Sequence, residues 1–466
     1  MRNFKIFAFV AASLLSAALC GCDGKTADAE VAVIELPVPE RPAGQEDVIG
    51  LALPPMDTVR VGFIGLGMRG PGAVERFTHL DGVKIVALCD IRPERVAFSS
   101  DIVTKAGMPE PVGYSGDSTV WKQLCDRDDI DLVYICTDWD THVPMAVYAM
   151  EHGKNVAVEV PATTSLDECW LMVNTAEKTR KHCMMLENCC YDFFEMATLN
   201  MAQKGLLGDL VHAEGAYIHD LRSLSFDETP GGYYDMWRLK HNTVHNGNPY
   251  PTHGLGPVSQ ALDINRGDKY DYLVSMSSDQ YGIGKYAAKV KGEDSPEAKK
   301  DYALGDMNVT MIRTDNGKTI MIQHDVTSPR PYDRKHALSG TKGFIQKYPV
   351  EGIAIEPNTH RFLAKEQHDS VMALYTHPIV MEVGEKAKKV GGHGGMDFIM
   401  DYRLIYCLRN GLPLDMNVYD AAAWSCIAPL SEISVANNSA PVRVPDFTRG
   451  AWNKEKGFKH AMAAAE

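Results

Sequence analysis

Basic residues are scarce in this sequence relative to acidic ones. It contains 47 Lys and Arg against 61 Asp and Glu, which gives a formal net charge of −14 at pH 7. Proteins that bind nucleic acid neutralise backbone phosphates with Lys and Arg, and no basic stretch here offsets the acidic balance. The composition therefore excludes nucleic acid as a partner. It favours a small ligand, either neutral or bound as an anion in a local positive pocket.

Paired cysteines and metal-ligand spacings are absent as well. The 11 cysteines are scattered, and they form no C-x-x-C pair. A disulfide framework would need a regular set, so we expect most of these cysteines to be buried thiols that pack as small apolar side chains. No cluster of His, Cys or Asp residues has the spacing of a zinc site, and we predict no catalytic metal.

The apolar run that stands out lies at the N-terminus. A basic start, Met1 to Lys5, precedes Ile6 to Leu19, a run too short to span a bilayer comfortably as a permanent helix. The following Leu19-Cys20-Gly21-Cys22 resembles a bacterial lipobox. We predict a lipoprotein signal peptide over residues 1–22 with the lipid on Cys22; an ordinary secretory signal cut nearby is the alternative. Either way we expect an exported protein, membrane-anchored in the first case, on a membrane face that the sequence leaves open.

The rest of the chain is too long for one compact core and divides into segments of different character. Residues 23–57 are rich in Ala, Pro, Glu and Val and lack a clear period, which is typical of a tether. Residues 58–185 alternate between strand-like and helix-like segments, and residues 186–450 contain strand-like segments set closer together. We therefore predict two folded domains over these two long segments, followed by a tail over residues 451–466.

The alternating segment predicts an α/β domain with a parallel sheet, because strand–helix–strand units wind with right-handed crossovers. In the second segment the closer strands predict an α/β domain with a mostly antiparallel open sheet, closed by helices after Met396. The predicted strands are Val59–Ile64, Lys84–Cys89, Leu132–Cys136 and Asn155–Val158 in the first segment, and Val211–Tyr217, Tyr272–Met276, Val309–Arg313 and Thr319–Asp325 in the second.

A glycine-rich turn directly follows the first predicted strand. Gly65, Gly67 and Gly70 form G-x-G-x-x-G, a helix-like stretch comes next, and Asp90 ends the second strand about twenty residues further on. Such glycines permit a tight turn and let a pyrophosphate approach the N-terminus of the helix. Asp90 can accept both ribose hydroxyls and would repel a 2′-phosphate. The pattern predicts an N-terminal Rossmann domain that binds NAD, although Arg92, which could pair with a 2′-phosphate, keeps NADP open; a glycine turn without a ligand is the other reading.

The loop after the strand Leu132–Cys136 also faces the expected cofactor crevice, since loops at the carboxyl ends of parallel strands line it. Trp139 could cover the cofactor, and Thr141 and His142 could begin the next helix. A plain helix cap at Thr141 and a surface position for His142 explain these residues equally well. Further along, the tract Ser223–Pro257 is loop-rich and dense in aromatic, His and Asn residues, which predicts a functional region.

The order of these pieces resembles the glucose–fructose oxidoreductase, inositol dehydrogenase and rhizopine catabolism family (Gfo/Idh/MocA). Its members combine an N-terminal Rossmann domain with a C-terminal α/β domain built on an open sheet. Its dehydrogenases carry Glu-Lys-Pro, with an active-site Lys, where this chain has Glu159-Val160-Pro161. An apolar Val cannot deliver a proton or orient a hydroxyl, so the ordinary dehydrogenase machinery lacks one part.

Four segments resemble glycoside hydrolase family 109, whose founding activity is α-N-acetylgalactosaminidase, and the resemblance runs from Val59 to Phe447. The segments are Leu186 to Tyr191, Trp237 to His241, Asn246 to Pro257, and Gly392 to Asp397. Carried over by position, the resemblance implies NAD contacts from Met68, Arg69, Asp90, Trp139, Asp140, Thr141, His142, Glu159, Val160 and Asn188. It implies substrate contacts from Tyr217, Arg238, Tyr250, Pro251, Thr252, His253 and Tyr332.

The resemblance further implies a hydrolase that acts on a terminal N-acetylhexosamine, most simply an α-N-acetylgalactosaminide, by redox-assisted elimination. C3 of the sugar is oxidised, C2 is deprotonated, the C1 substituent leaves, water adds and the hydride returns, so NAD is not consumed. This cycle needs proton-transfer groups. We expect His253 to accept the C3 hydroxyl proton, and Tyr217 and Tyr250 to serve C2 and water. His219 joins them as a candidate, because it shares a strand face with Tyr217, and Glu187 supports the cluster.

Two other functions stay open. A conventional NAD-dependent sugar dehydrogenase is disfavoured by Val160, and net NADH formation would establish it. A non-catalytic glycan-binding lipoprotein that keeps a Rossmann fold as its scaffold is disfavoured by the proton-transfer cluster. The expected partners are a glycan or glycoside substrate and, through the lipid anchor, a membrane; the sequence leaves a homo-oligomer open.

Overall fold

The computed structural model describes residues 32–463, and residues from Val33 onward form one compact unit. The predicted signal peptide with Cys22 and the first part of the predicted tether lie outside the described residues. Over the part of the chain that the structure describes, no helix combines the length and the apolar character needed to cross a membrane.

The first half of the body is a six-stranded parallel sheet with helices between its strands, as predicted. The strand order is β3-β2-β1-β4-β5-β6, so the winding direction reverses between β1 and β4, where doubly wound sheets bind their ligands. The strands are β1 (Val59–Ile64), β2 (Val83–Cys89), β3 (Val112–Tyr114), β4 (Leu132–Ile135), β5 (Asn155–Val158) and β6 (Cys183–Met185). The helices are α1 (Gly70–Phe77), α2 (Pro93–Lys105), α3 (Trp121–Cys125), α4 (Trp139–Glu151) and α5 (Leu166–Thr179).

The second half is built on an eight-stranded sheet in the order β13-β12-β11-β7-β10-β9-β8-β14. Its neighbouring strands are antiparallel except β7 and β10, which confirms the predicted mostly antiparallel sheet. The strands are β7 (Leu210–Ile218), β8 (Tyr270–Ser277), β9 (Asn308–Thr314), β10 (Thr319–Asp325), β11 (Asp333–Gly340), β12 (Gly343–Gln346), β13 (Gly352–Ile355) and β14 (Val442–Arg443). The helices are α6 (Phe193–Gln203), α7 (Arg222–Ser225), α8 (Trp237–Val244), α9 (Thr252–Ala261), α10 (Gly282–Lys291), α11 (Lys365–Leu374), α12 (Pro378–Val390), α13 (Met396–Asn410), α14 (Val418–Ser425) and α15 (Ile427–Ala436).

The tract predicted to be loop-rich contains helices, which corrects the sequence-based expectation. His253 was expected in a glycine-flanked loop, but it lies in the first turn of α9. The glycines serve packing: a Cβ on Gly254 would lie 2.3 Å from Ala216 N of β7, and a Cβ on Gly215 would lie 2.3 Å from Gly254 O. Helix α9 therefore lies directly on the backbone of β7, which brings His253 beside Tyr217.

The described part of the predicted tether is bound to the body, which is a second correction. Ile34 forms a bridge with Val442 beside β14, and Arg41 donates to the buried carboxylate of Glu177 in α5, with Nε 3.0 Å from Oε2. The tail is bound as well, since Gln203 Nε2 donates to Phe458 O over 2.7 Å. The described part of the predicted tether lacks a helix or strand period because it is held by such individual contacts. The missing period therefore did not indicate a free linker.

The cysteines behave as predicted from the lack of a pairing pattern. The nine that the structure describes are all buried and unbonded to one another, and they are Cys89, Cys125, Cys136, Cys169, Cys183, Cys189, Cys190, Cys407 and Cys426.

Candidate active site

A cleft with a volume of about 410 Å³ runs from the carboxyl ends of the parallel strands to the second half of the chain. One end is walled by the glycine-rich turn and Asp90, and the other by Tyr217, Tyr250 and His253. Residues from both halves therefore face one continuous space, which is how a cofactor and a substrate can be held against each other.

The glycine-rich turn has the geometry that a pyrophosphate requires. Gly65 has φ +88°, a conformation that favours glycine, and a Cβ on Gly70 would lie 2.2 Å from Gly65 O. A Cβ on Gly67, by contrast, would meet only Arg92 Nη2 at 3.7 Å, so its absence leaves the turn open toward the cleft. Within residues 32–463, the backbone N–H groups of Gly67 and Met68 have no acceptor, which leaves them free for phosphate oxygens.

Asp90 lies at the end of β2, where a ribose would be expected. Its Oδ2 accepts from Leu66 N over 2.7 Å and its Oδ1 from Arg92 N over 2.9 Å, so the carboxylate is fixed next to the turn. Each oxygen has further acceptor capacity for a hydroxyl. The turn, the free N–H groups and this carboxylate fit a dinucleotide.

A segment of the second half crosses this end of the cleft, and sequence reasoning missed it. The ring of Tyr234 lies 5.0 Å from the guanidinium carbon of Arg92, and Arg95 Nη2 donates to Pro230 O over 2.5 Å. Both arginines follow Asp90 closely in sequence and line the cleft. The tract Ser223–Pro257 was predicted to be functional, and part of it lines the cleft. No local signal indicated that this part contacts the arginines that follow Asp90.

The residues of the Trp139–His142 segment lie in the first turn of α4, and they divide into two groups. Trp139 is buried and lines the cleft, with its ring 5.8 Å from that of Tyr250 and stacked on it. Thr141 and His142 also line the cleft, and His142 is fully buried, which excludes the surface position considered from the sequence. Asp140 is exposed and does not line the cleft.

The predicted proton-transfer residues form a hydrogen-bonded chain. Glu187 Oε1 lies 2.7 Å from His253 Nδ1, and His253 Nε2 lies 3.3 Å from Tyr250 OH. Burial favours the neutral acid, but the charge and hydrogen bond of His253 outweigh it and lower the pKa of Glu187. An ionised Glu187 can only accept, so Nδ1 of His253 carries the proton and Nε2 is the basic nitrogen that faces the cleft.

A second pair lies beside the first. Tyr217 OH lies 3.0 Å from His219 Nδ1, which confirms that the two side chains share one face. Burial raises the pKa of Tyr217 to about 12, so the phenol is protonated at neutral pH. Burial and the charge of Arg238 lower the pKa of His219, so its imidazole is neutral there and the phenol donates to it.

Arg238 is buried in a cage of aromatic rings. Its guanidinium carbon lies 4.7 Å from the ring centre of Tyr250, 5.0 Å from Trp139 and 5.7 Å from Tyr217. Its Nη1 donates to Tyr233 OH over 3.1 Å, and its buried Nη2 has no partner among the described residues. A buried donor without an acceptor is costly, so this nitrogen is suited to a polar group of a ligand.

His393 also faces the cleft, and the sequence analysis gave it no role beyond its place in the segment Gly392 to Asp397. It stands in Gly391-Gly392-His393-Gly394-Gly395, where all five residues have positive φ. Its Nδ1 lies 2.9 Å from Asp397 Oδ2 and 3.2 Å from Arg69 Nη1. Its side chain is 53% exposed, and the described residues form no hydrogen bond with its Nε2. A lone histidine between two glycine pairs was the sequence signal for this residue. The glycines permit the run of positive φ angles that leaves the His393 side chain exposed.

Most of the predicted site residues are brought together. Those that line the cleft are Gly65, Gly67, Met68, Arg69, Asp90, Trp139, Thr141, His142, Glu159, Val160, Asn188, Tyr217, Arg238, Tyr250 and His253. Gly70, Asp140, His219, Pro251, Thr252 and Tyr332 do not line it, although the rings of His219 and Tyr332 lie 4.9 Å apart at its border. Pro251 and Thr252 are buried at the start of α9 and act through the backbone that places His253.

One group of described residues has ligand atoms close enough for a metal ion. Atoms of Glu187, Cys189 and His253 lie within 4.8 Å of one another. In the structure each of these three side chains is already hydrogen-bonded within the protein. Glu187 is hydrogen-bonded to His253, and Cys189 Sγ lies 2.7 Å from Arg334 Nη1. The absence of a catalytic metal stays a prediction.

Two family models match successive parts of the chain. The NAD-binding Rossmann fold of the Gfo/Idh/MocA oxidoreductase family matches residues 59–187, and the C-terminal domain of glycosyl hydrolase 109 matches residues 191–454. A glycosyl hydrolase family 109 protein 1 from Bacteroides fragilis is 54% identical over 98% of this chain and 100% of its own length. The chain belongs to glycoside hydrolase family 109. A protein from Bacteroides fragilis named α-N-acetylgalactosaminidase is 58% identical over 88% of this chain and 96% of its own length.

Solved structures of Gfo/Idh dehydrogenases share the fold. A levoglucosan dehydrogenase in complex with NADH and L-sorbose superposes with a TM-score of 0.63 at 17% identity, covering 84% of this chain and 100% of that one. A myo-inositol 2-dehydrogenase from Lactobacillus plantarum gives a TM-score of 0.56 at 16% identity, covering 83% and 99%. This family 109 chain is therefore a glycosidase built on an NAD-binding oxidoreductase fold.

Proposed function

We propose that this family 109 enzyme uses tightly held NAD to hydrolyse glycosides with a terminal N-acetylhexosamine, α-N-acetylgalactosaminides first. The observation that carries the proposal is the Glu187–His253–Tyr250 chain, which opens into the same cleft as the dinucleotide turn. When bound, NAD supplies a reversible hydride acceptor for C3 of the sugar, so the cycle has no net redox change.

The carboxylates near the proposed substrate end are engaged, which argues against a two-carboxylate glycosidase. Glu187 has no exposed side-chain surface and is bonded to His253. Glu159 Oε1 accepts from Arg69 Nε over 3.3 Å. With these two carboxylates committed to His253 and Arg69, acid–base work at the sugar falls to the histidines and tyrosines of the cleft.

His253 is the group that takes the C3 hydroxyl proton, because Glu187 fixes its tautomer and leaves Nε2 as the acceptor. The Tyr250 hydroxyl, hydrogen-bonded to Nε2, can relay a proton between the sugar and His253. The same chain returns the proton when the hydride returns, so His253 ends each cycle in the protonation state in which it began.

Tyr217 and His219 together serve C2. A protonated phenol is a poor base by itself, but its proton is already hydrogen-bonded to neutral His219. As Tyr217 takes the C2 proton, its own proton passes to His219. The nearby charge of Arg238 favours the anionic forms that arise at this step.

The leaving group and the water require a further acid–base group at the open side of the cleft. His393 is the exposed candidate, since its Nδ1 is held by Asp397 and its Nε2 is free. The unpartnered Nη2 of Arg238 is suited to the acetamido carbonyl, which supports an N-acetylhexosamine. The relative named α-N-acetylgalactosaminidase supports the galacto configuration and the α linkage.

The N-terminal segment supports export as a lipoprotein anchored through Cys22. This part of the proposal rests on the lipobox-like residues alone.

The test is a panel of 4-nitrophenyl glycosides assayed with purified full-length protein, with NAD determined in the supernatant after denaturation. We expect NAD to be released from the protein, the α-N-acetylgalactosaminide to be cleaved fastest, and no reduced nicotinamide to accumulate. Net NADH formation would show a sugar dehydrogenase instead. Sugar binding without turnover would show a glycan-binding protein.

A further inference from the structure

Asp397 stands in the first turn of α13, and its side chain is 1% exposed. Its Oδ1 accepts from Asn188 Nδ2 over 2.6 Å, and its Oδ2 accepts from His393 Nδ1 over 2.9 Å and from Arg69 Nη2 over 3.1 Å. A Cβ on Gly392 would lie 2.7 Å from Asp397 Cβ, so the glycine loop is what lets the carboxylate come this close. One buried carboxylate thus holds three side chains.

The three donors come from different parts of the chain and all line the cleft. Arg69 belongs to the turn before α1, Asn188 to the turn after β6, and His393 to the loop before α13. Asn188 Nδ2 donates one hydrogen to Asp397, and its Oδ1 accepts from Cys189 Sγ over 3.5 Å, so the amide is held on both sides. Burial alone would raise the pKa of Asp397, but the hydrogen bond of His393 and the charges of Arg69 and Arg76 hold it well below its usual range.

Asp401 lies one turn further along α13 and provides a natural comparison. It is equally buried, and it accepts from Arg76 Nε over 2.7 Å and from Tyr134 OH over 2.9 Å. Neither Arg76 nor Tyr134 lines the cleft. Arg76 Nη1 also lies 3.5 Å from Asp397 Oδ2, so the two carboxylates share this ion-pair partner. They differ in their hydrogen-bonding partners, which face the cleft for Asp397 and not for Asp401.

We propose that Asp397 is a positioning residue of the active site, which orients Asn188 and His393 and fixes Arg69 against the cofactor turn. The second half of the chain thereby sets the geometry of the cofactor end as well as the substrate end. Displacements near 1 Å of positioned groups can cost about a hundredfold in rate. The effect of losing Asp397 is accordingly expected in turnover and cofactor retention more than in folding.

The test measures Asp397→Asn, Asp401→Asn and Asn188→Ala, each alone, and the two aspartate variants combined with Asn188→Ala, in the full chain. Melting temperature, kcat, KM and the fraction of protein that retains NAD are measured for all variants. We expect both single variants to lose melting temperature, Asp397→Asn the more, because folding lowers the pKa of Asp397 whereas burial raises that of Asp401 to about 6. We expect a kcat about tenfold to a hundredfold lower for Asp397→Asn than for Asp401→Asn. Asn188→Ala should lower kcat little further in the Asp397→Asn background, because both substitutions remove the same hydrogen bond. In the Asp401→Asn background the two losses of kcat should multiply.

Equal kcat and NAD retention in the two single variants, or multiplicative losses in both combinations, would overturn the proposal. If Asp397→Asn does not fold, Asp397→Glu is measured against Asp401→Glu with the same expected split, because it keeps the charge and shifts it by one methylene. The inference rests on the proposed function, and the two fail differently. A wild type that cleaves no glycoside contradicts the proposed function, whereas an active wild type with matching variants contradicts only the role of Asp397.

Discussion

Glu187 shows how a single buried residue determines the chemistry of its neighbour. Its carboxylate has no exposed surface, and its bond to His253 Nδ1 is what makes Nε2 the basic nitrogen. Sequence reasoning placed Glu187 in a supporting role from the resemblance alone. The hydrogen bond explains that role, because a partner that donates to Nδ1 would move the proton of His253 to Nε2.

Replacing Glu187 by Gln should therefore abolish most turnover while the fold survives. The Gln amide can donate to Nδ1 and leave the proton on Nε2, so we expect kcat to fall about 10²–10⁴-fold. Glu177→Gln is the matched control. Glu177 is also fully buried, but it accepts hydrogen bonds from Arg41, Tyr419 and Arg449 away from the cleft, so its replacement should not change the tautomer of His253. A Glu187→Gln enzyme with wild-type kcat would remove the dyad from the mechanism.

The lowered pKa of His219 predicts the pH dependence of the reaction. Because its folded pKa lies below 6.5, the imidazole stays neutral, and able to accept a proton, until the pH falls below 6.5. We expect the acidic limb of kcat/KM in that region, and we expect it to shift or vanish in His219→Asn. His212→Asn should leave it unchanged, because His212 lies further back in β7 and is hydrogen-bonded to Thr319. A limb above pH 6.5 that is identical in both variants would contradict the assignment.

Among the elements, α9 shows where sequence reasoning reached its limit. The strands that flank it were predicted nearly to the residue, because alternating apolar positions indicate a strand locally. Gly254, Gly256 and Pro257 read as loop residues, since glycine and proline disfavour helices in isolation. The close approach of α9 to β7 requires those glycines, and a contact between distant segments leaves no local period in the sequence.

Gly254→Ala tests this packing directly. A Cβ there would lie 2.3 Å from Ala216 N, so the helix must move away from β7 and carry His253 with it. We expect the free energy of unfolding to fall by about 1–3 kcal/mol and kcat to fall with it. Gly284→Ala in α10 is the control, because its Cβ would meet nothing nearer than Gln280 Oε1 at 3.5 Å and alanine favours a helix. Equal stability and activity of the two variants would contradict the packing argument.

For the whole molecule, the sequence predicted the two sheets, and most of the site residues that it named line the cleft. It did not predict the way in which the halves join. The cofactor turn carries a local signature, so Gly65, Gly67 and Asp90 could be found without a structure. Tyr234 and His393 reach the same cleft from the second half, and the buried Asp397 holds residues that line it. The distances that make these residues relevant exist only in the fold. The described part of the predicted tether was misjudged for the same reason, because its contacts with Glu177 and Val442 are long-range.

We propose that this chain cleaves its substrate through loss of the C2 proton, in a cleft that also binds NAD. The most direct measurement is the hydrolysis of an N-acetylgalactosaminide deuterated at C2, in ordinary water, followed by mass analysis of the released sugar. If the C2 proton is lost as proposed, the product carries solvent hydrogen at C2, because the deuteron passes to Tyr217 and exchanges with protons of the solvent. Full retention of deuterium after complete hydrolysis would contradict the elimination and would indicate direct displacement at C1.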